Sequence, residues 1–226
     1  MKLKEVVLTY DLDENLPLSY GHKLRGFFAN NFEHVLFHNH KKDGSLRYQY
    51  PLIQYKIIRG NPNVIALEKG CDIVSEHFLD VEKLILGEKE YDRPAGQLRV
   101  LEKDLLVKED YNMFPYSYNF ITPWMALNQK NYKAYKNEKE NKKEKNKFLA
   151  RILTGNILSF AKGIDWWIEK EIVVMPDLEE ITVNFKNNKM LAFKGKFYAN
   201  ISLPDYIGLG KAISRGFGTI EKTIIE

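Results

Sequence analysis

Three of the five histidines, His34, His38 and His40, fall within seven residues. Histidine titrates near neutral pH, so it can give or take a proton under physiological conditions. Cations and a phenol follow closely in the chain: Lys41, Lys42, Arg47, Tyr48 and Lys56. Cleaving RNA without a metal requires a base for the ribose 2′-hydroxyl, an acid for the departing 5′-oxygen and a cation for the charge on phosphorus. The cluster contains all three kinds of group.

The same histidines allow two other interpretations. His38 and His40 form a His-x-His pair that can ligate a metal, with a third ligand from His34, His77 or a carboxylate, but nothing in the spacing requires that ligand. The second alternative is a polar loop without a catalytic role. His22 and His77 lie within predicted helices and are expected to be structural or surface residues.

Near the end of the chain, four glycines fall within eleven residues, at Gly208, Gly210, Gly216 and Gly218. Glycine reaches positive φ and lets a ligand approach the main chain. Bare N–H groups beside Lys211, Ser214 and Arg215 favour an anion such as a phosphate. Neither a Gly-Lys-Ser/Thr sequence nor a following βαβ unit is present, which argues against the common mononucleotide and dinucleotide loops. The alternative is a Gly-rich turn before a final strand.

Composition limits the class of protein. The chain has 226 residues, a net charge of +4 and one cysteine, Cys71. An intrachain disulfide and a cysteine-based zinc site are therefore excluded, and a reducing cytosol is the expected compartment. No stretch approaches the roughly 18 consecutive apolar residues of a membrane span, so no membrane partner is expected. The N-terminus resembles a first strand rather than a signal peptide.

The first half of the chain predicts the order β-α-β-β-α-β, which is the ferredoxin-like unit. The predicted elements are a strand at Lys4–Tyr10, a helix from Pro17 and Ser19 to about Phe37, a strand at Tyr48–Ile58, a turn at Asn61–Asn63, a strand at Val64–Leu67, a helix at Gly70–Leu86 and a strand at Gln97–Val107.

The second half predicts a similar, modified unit. Its predicted elements are an aromatic strand within Tyr111–Ala126 with a turn at Thr122-Pro123, a lysine-rich run from Lys130 to Lys147, a helix at Phe148–Ala161, strands at Glu171–Val174, Glu180–Phe185 and Met190–Ile201, and a closing strand. The lysine run is either a phosphate-binding patch or a solvated face. We therefore predict an α+β protein with two tandem ferredoxin-like domains: residues 1–109 with the histidine loop, and residues 110–226 with the Gly-rich loop.

Several motifs resemble a known family. They are Gly208-Leu-Gly-Lys-Ala-Ile-Ser-Arg-Gly-Phe-Gly218, preceded by Phe193-Lys-Gly-Lys-Phe197 and Leu203-Pro-Asp205, together with Ser117–Trp124, Leu149–Asn156 and the His38-Asn-His40 loop. The chain resembles the CRISPR-associated endoribonucleases of the sixth Cas family, in the RAMP superfamily, and more narrowly their subtype I-B branch. This resemblance implies metal-independent cleavage of CRISPR precursor RNA within its repeats, leaving a 2′,3′-cyclic phosphate and a 5′-hydroxyl, with no cofactor.

The resemblance also implies roles for residues. His38 and His40 both match the location of the catalytic histidine, just after the first helix; His40 is the first choice, with His38 as its partner or partial substitute. Tyr48 is the assisting tyrosine, with Tyr50 as the alternative, and Lys41, Lys42 or Lys56 is an alternative helper. The implied RNA-binding residues are Lys41, Lys42, Arg47, Lys56, Gly208, Gly210, Lys211, Ser214, Arg215, Gly216 and Gly218. The implied partner is CRISPR repeat RNA; other effector subunits and a homodimer stay open. The main alternative function is a non-cleaving repeat-RNA-binding subunit of a CRISPR effector complex, and a metal-dependent hydrolase is a third.

Overall fold

The computed structural model describes residues 1–37, 49–109, 114–137 and 141–224. The chain forms two compact units. The first unit contains Lys2–Asp104 and Ile213–Gly216, and the second contains Met1, Leu105–Ala212 and Phe217–Glu226. The main chain thus passes from the first unit to the second after Asp104, and the Gly-rich stretch contributes four residues to the first unit.

The first unit is a four-stranded antiparallel sheet with two helices. Its elements are β1 (Lys2–Asp11), α1 (Gly21–Asn31), β2 (Ile53–Ile58), β3 (Asn61–Leu67), α2 (Lys69–His77), the hairpin strands β4 (Lys83–Leu86) and β5 (Lys89–Asp92), and β6 (Ala95–Asp104). The sheet order is β2-β3-β1-β6, with β4 and β5 forming a separate two-stranded sheet. A βαββαβ chain with its first strand between the last and the third is ferredoxin-like.

The turn that joins β2 to β3 lies earlier in the chain than the sequence predicted. Arg59 and Gly60 form the turn, with φ values of 50° and 85°. Two consecutive residues with positive φ are typical of the tight turns that match the twist of a β-hairpin. Asn61 pairs with Ile58, and Asn63 pairs with Lys56. The predicted turn at Asn61–Asn63 is therefore wrong, and these residues belong to β3.

Both predicted helices of the first unit are too long. The helix α1 ends at Asn31, and α2 ends at His77. The end of the second predicted helix is strand β4, in which Leu84 and Leu86 are buried while Ile85 is 41% exposed. Apolar residues this close together satisfy a helical spacing and a strand alternation equally well, so the periodicity did not distinguish them.

Both faces of strands β2 and β3 are buried. One face carries the apolar core, in which Val6, Tyr55 and Val64 pack with Phe28 of α1 and Val74 of α2. Every residue of β2 and all but the first of β3 are buried. The opposite face includes four buried polar side chains: Glu5, Gln54, Lys56 and Asn63.

The second unit repeats the same strand arrangement. It contains β7 (Tyr116–Trp124), α3 (Gln129–Asn137), α4 (Lys142–Gly163), β8 (Val174–Phe185), β9 (Asn188–Ala199) and β10 (Ile220–Thr223). The sheet order β10-β7-β9-β8 matches that of the first unit. Between β9 and β10 the chain forms one 3₁₀ turn, Ile213–Arg215, in place of a second helix. The prediction of an α+β protein with two ferredoxin-like domains, the second modified, is confirmed.

Two local predictions in the second unit are wrong. Of the predicted strand Glu171–Val174 only Val174 lies in a strand, because β8 begins there and continues through Glu180 to Phe185. Thr122 and Pro123 lie inside β7 at an irregularity in its pairing with β9, rather than in a turn. Proline has no N–H to donate, so it is tolerated where the ladder is interrupted. None of the helices in the described ranges is long and apolar enough to span a membrane.

Candidate nucleic-acid interface

The predicted histidine loop lies outside the described residues. His38, His40, Lys41, Lys42, Arg47 and Tyr48 all belong to residues 38–48. The residues that bracket this segment are buried in the first unit. Phe37 is 1% exposed, and its ring centroid is 5.3 Å from that of Phe32. Tyr50 is also buried, and its hydroxyl accepts a hydrogen bond of 3.0 Å from the Gln54 amide. Buried aromatic side chains therefore lie on either side of the predicted catalytic loop in the chain.

The remaining histidines, His22, His34 and His77, do not form a metal site with other residues that the structure describes. His22 and His34 are exposed. The Nδ1 atom of His34 accepts a hydrogen bond of 3.2 Å from the Leu36 amide. The Nδ1 atom of His77 lies 3.0 Å from Oδ2 of Asp80. Within the described part of the chain, no three His, Cys, Asp or Glu side chains are placed to hold a metal ion.

Lys56 lies in a buried polar row rather than on the surface. Lys56 is 0% exposed. Its main chain in β2 lies in register with that of Asn63 in β3. Asn63 in turn accepts a hydrogen bond of 2.6 Å from the Thr9 hydroxyl of β1. Burial lowers the pKa of Lys56 to about 7, because desolvation disfavours the ammonium form. A buried amine of this kind does not present its charge to a surface phosphate, unlike the direct RNA contact that the sequence suggested.

The glycines of the second unit are required by internal packing. Gly210 and Gly218 have φ values of 94° and 64°, in the left-handed region. A Cβ at Gly210 would lie 2.7 Å from Nε1 of Trp124, and a Cβ at Gly218 would overlap the carbonyl oxygen of Leu209. These two glycines therefore let the loop fold closely against itself and against β7.

Several amide groups of the Gly-rich stretch already donate within the protein. The N–H of Gly218 donates to the Pro123 carbonyl at 2.9 Å, and the N–H of Lys211 donates to the Met125 carbonyl at 3.1 Å. The N–H of Gly216 donates to the Ile213 carbonyl at 3.0 Å. These three groups are not free to bind phosphate, contrary to the expectation from sequence.

The groups of this stretch that attract an anion are its charged side chains. Lys211 is exposed and Arg215 is half-buried, whereas Gly208, Ser214, Gly216 and Gly218 are buried. Partial burial lowers the pKa of Lys211. Cationic side chains, more than bare amides, are therefore the candidate RNA contacts of the Gly-rich stretch.

The 3₁₀ turn that carries Arg215 packs against α1 and β2 of the first unit. A Cβ at Gly21 would lie 2.8 Å from the Arg215 carbonyl oxygen, and a Cβ at Gly216 would lie 3.3 Å from the Tyr55 carbonyl oxygen. Sequence reasoning missed one residue near this turn, Arg25. Its only signal was a cation four residues after Gly21, on the face of α1 that is otherwise buried.

The lysine-rich run is partly neutralised. Glu180 of β8 lies 2.9 Å from Nζ of Lys145 and 3.7 Å from Nζ of Lys136. Lys147 forms an ion pair of 2.8 Å with Glu144 on the same helix. Lys136 of α3 and Lys145 of α4 therefore form ion pairs with strand β8, and Lys147 forms an ion pair within α4.

Comparison with known proteins decides the family. Models of the Cas6b N-terminal domain and the Cas6b C-terminal domain match residues 1–104 and 111–223. The chain belongs to the Cas6b family. The resemblance to the sixth Cas family, seen first in the sequence motifs, is thereby confirmed.

Three relatives show how far the similarity extends. A crystal structure of Cas6b is 35% identical, with a TM-score of 0.89, over 99% of this chain and 100% of the other. A crystal structure of the CRISPR RNA processing endoribonuclease Cas6b is 32% identical, with a TM-score of 0.77 and the same coverage. An uncharacterised protein of Methanocaldococcus jannaschii is 37% identical over 149 residues, which are 65% of this chain and 97% of that protein. The Cas6b similarity thus spans both ferredoxin-like units.

Proposed function

We propose that this chain is a metal-independent endoribonuclease that cuts CRISPR precursor RNA within its repeats. The observation that carries the proposal is the end-to-end similarity, at 32% identity, to a solved CRISPR RNA processing endoribonuclease. The histidine cluster in the sequence between α1 and β2 supplies groups suited to that chemistry.

The proposed reaction is a transesterification. The ribose 2′-oxygen forms a bond to phosphorus, and the bond between phosphorus and the 5′-oxygen breaks. A base takes the 2′-hydroxyl proton, and an acid gives a proton to the 5′-oxygen. The products are a 2′,3′-cyclic phosphate and a 5′-hydroxyl, with no water consumed. His40 and His38 share the acid and base roles, and Tyr48 assists them.

Cationic side chains hold the RNA in this proposal. Lys41, Lys42 and Arg47 accompany the histidines, and Lys211 and Arg215 contribute from the Gly-rich stretch. Charge-assisted contacts of this kind stabilise the RNA backbone and the negative charge that develops on phosphorus. The glycines act indirectly, since their close packing determines where Lys211 and Arg215 stand.

The first test is cleavage of end-labelled repeat RNA in EDTA, beside the same RNA with a 2′-deoxy sugar at the cut site. We expect cleavage of the first RNA in EDTA and none of the second. Cleavage that requires a divalent metal would overturn the proposed mechanism. Tight binding without any cleavage would instead favour a non-cleaving repeat-RNA-binding subunit.

The second test is the double variant His38→Ala with His40→Ala. A general acid or base contributes typically about 10²–10⁴-fold each, so the cleavage rate should fall by at least about 10²-fold while RNA binding changes little. The matched control is His22→Ala, which removes an exposed imidazole from α1. Equal activity in the double variant and the control would remove the histidines from the mechanism.

A further inference from the structure

An open groove lies in the second unit, between the N-terminal half of α4 and the first residues of β8. Its volume is about 640 Å³. Strand β8 is at the edge of its sheet, since the strand order is β10-β7-β9-β8. The groove is therefore bounded by a helix on one side and by the start of an edge strand on the other. Neither the histidine segment nor the Gly-rich stretch contributes to it.

The helix side of the groove is cationic. Lys142, Lys143 and Lys147 line it together with Asn146. Lys143 and Lys147 are four residues apart, so they share one face of α4 and stand about 6 Å apart along its axis. The described residues that line the groove include no carboxylate. This side of the groove therefore attracts an anion.

Lysine side chains, rather than main-chain amides, supply this positive charge. In the first turn of α4 the amides of Lys143 and Glu144 donate to the Asn141 side chain, at 3.1 and 3.3 Å. Lys147 forms an ion pair of 2.8 Å with Glu144, so its charge is partly neutralised. Lys142 and Lys143 are exposed. Their ammonium groups are therefore the main cations of the groove.

The rest of the lining is apolar. Val174, Met175 and Pro176 of β8 line the groove opposite the lysines, with Ala150 of α4. Met175 is 46% exposed, although methionine is among the residue types that are most often buried. A ligand that matches both sides of the groove has negative charges and an accessible apolar surface. Single-stranded RNA has both, because its phosphates are charged and its base faces are free to pack against protein.

We propose that this groove binds a single-stranded segment of the precursor RNA. Lys142 and Lys143 contact two backbone phosphates, and Met175 and Ala150 pack against a ribose or a base face. Such contacts do not read base edges, so the groove binds RNA with little sequence preference. This inference rests on the proposed function and adds a contact for the RNA outside the histidine segment.

The test measures binding of oligouridylate, which lacks the repeat sequence, over a range of salt concentrations. Lys142→Ala with Lys143→Ala should weaken binding by at least about tenfold at low salt. It should also reduce the slope of log K against log salt by about 1.4, which corresponds to two phosphates of a single strand. Alanine is the best helix former, so the variant should keep α4.

The matched control is Lys130→Ala with Lys133→Ala. It removes the same charge from exposed positions of α3, in the same lysine-rich run but outside the groove. The control should bind oligouridylate more tightly than the groove variant. Equal losses in the two double variants would show that only net charge matters, and the inference would be wrong.

The apolar side of the groove has its own matched pair. Met175 and Leu158 are each 46% exposed, but only Met175 lines the groove. Met175→Glu should weaken oligouridylate binding more than Leu158→Glu does, because it places a carboxylate beside the bound RNA. Equal effects would contradict contact between RNA and the groove.

A further measurement separates RNA from an acidic polypeptide as the occupant. The wild type should bind oligouridylate more tightly than polyglutamate of the same charge, since polyglutamate has no bases to pack against Met175. Tighter binding of polyglutamate that depends on Lys142 and Lys143 would indicate an acidic polypeptide and would overturn the proposal.

Cleavage of repeat RNA by the wild type tests the proposed function separately. A wild type that does not cleave repeat RNA, but loses oligouridylate binding when Lys142 and Lys143 are replaced, would refute the proposed function alone. A wild type that cleaves repeat RNA, with groove and control variants that bind oligouridylate equally well, would refute the groove alone.

Discussion

Gly21 and Arg215 are in direct main-chain contact, because a Cβ at Gly21 would lie 2.8 Å from the Arg215 carbonyl oxygen. The first turn of α1 and the 3₁₀ turn near the C-terminus therefore touch without an intervening side chain. Through this contact, residues Ile213–Gly216 pack within the first unit.

Gly21→Ala should separate these two segments. A new methyl group at this closely packed position should lower the free energy of unfolding by roughly 1–3 kcal/mol. It should also displace the 3₁₀ turn and move Arg215, which should weaken RNA binding. Gly26→Ala is the matched control, since a Cβ at that position of the same helix meets nothing within 4 Å. The free energy of unfolding of the Gly26→Ala control should rise by about 0.5–1 kcal/mol, because alanine is a better helix former than glycine. Urea unfolding measures both, and equal stabilities would contradict the contact.

Gly210→Ala should destabilise the second unit. The residue has a φ of 94°, and a Cβ would approach Nε1 of Trp124 to 2.7 Å and the Met125 carbonyl oxygen to 2.9 Å. Strain and overlap together should lower the free energy of unfolding by about 2–3 kcal/mol. Gly155→Ala in α4 has open space around it and should instead be stabilising. Thermal melts of the two variants should therefore shift in opposite directions.

Lys56 should make stability rise with pH. Its pKa is about 7 in the folded protein against an ordinary value of 10.5, so between these values the unfolded state binds more protons. Unfolding then becomes less favourable as pH increases, by up to about 1.4 kcal/mol per pH unit, and the cost of burying the amine is fully present below pH 7.

Lys56→Met provides the measurement. The difference in unfolding free energy between wild type and variant, taken from denaturant titrations at several pH values, should move in favour of the wild type from pH 7 to about pH 10. The other titrating groups cancel in this difference. A difference that is constant over the range would show that the amine is not desolvated as the structure indicates.

Glu180 should contribute to stability through its partners on two helices. Its Oε1 atom lies 2.9 Å from the Tyr135 hydroxyl of α3 and 2.9 Å from Nζ of Lys145 of α4. The hydrogen bond from Lys145 is the main cause of its lowered pKa. Because the carboxylate is partly exposed, Glu180→Gln should cost only about 1 kcal/mol at neutral pH.

The pH dependence of the Glu180 effect has a definite sign. A lowered folded pKa stabilises the protein above the ordinary carboxyl pKa, and this stabilisation disappears as pH falls through the folded value. The wild-type advantage should therefore vanish in acid. Glu179→Gln is the control, because that carboxylate is 75% exposed and faces Lys194. An equal loss in the two variants would mean that the contacts to Tyr135 and Lys145 add nothing.

Much of the fold could be predicted because its signals are local. The short β-branched run of β1 and the helically spaced apolar residues of α1 were sufficient to predict these two elements. Local signals failed where two interpretations were equally good. Asn61-Pro-Asn63 has the composition of a turn, but Arg59 and Gly60 make the turn, since β3 pairs with β2 through Asn61. The residues near Leu84 fit a helix and a strand alike, and pairing with β5 selected the strand.

Some features of the candidate site could likewise be predicted from the sequence, and others could not. The sequence by itself identified the family, the histidine segment and the Gly-rich stretch, because these depend on residue types at short spacing. Only the tertiary structure showed that Lys56 is buried, that the N–H groups of Lys211, Gly216 and Gly218 are occupied, and that the Arg215 main chain contacts Gly21. Burial and main-chain contacts of this kind arise between residues far apart in the chain, so short-range sequence patterns do not predict them.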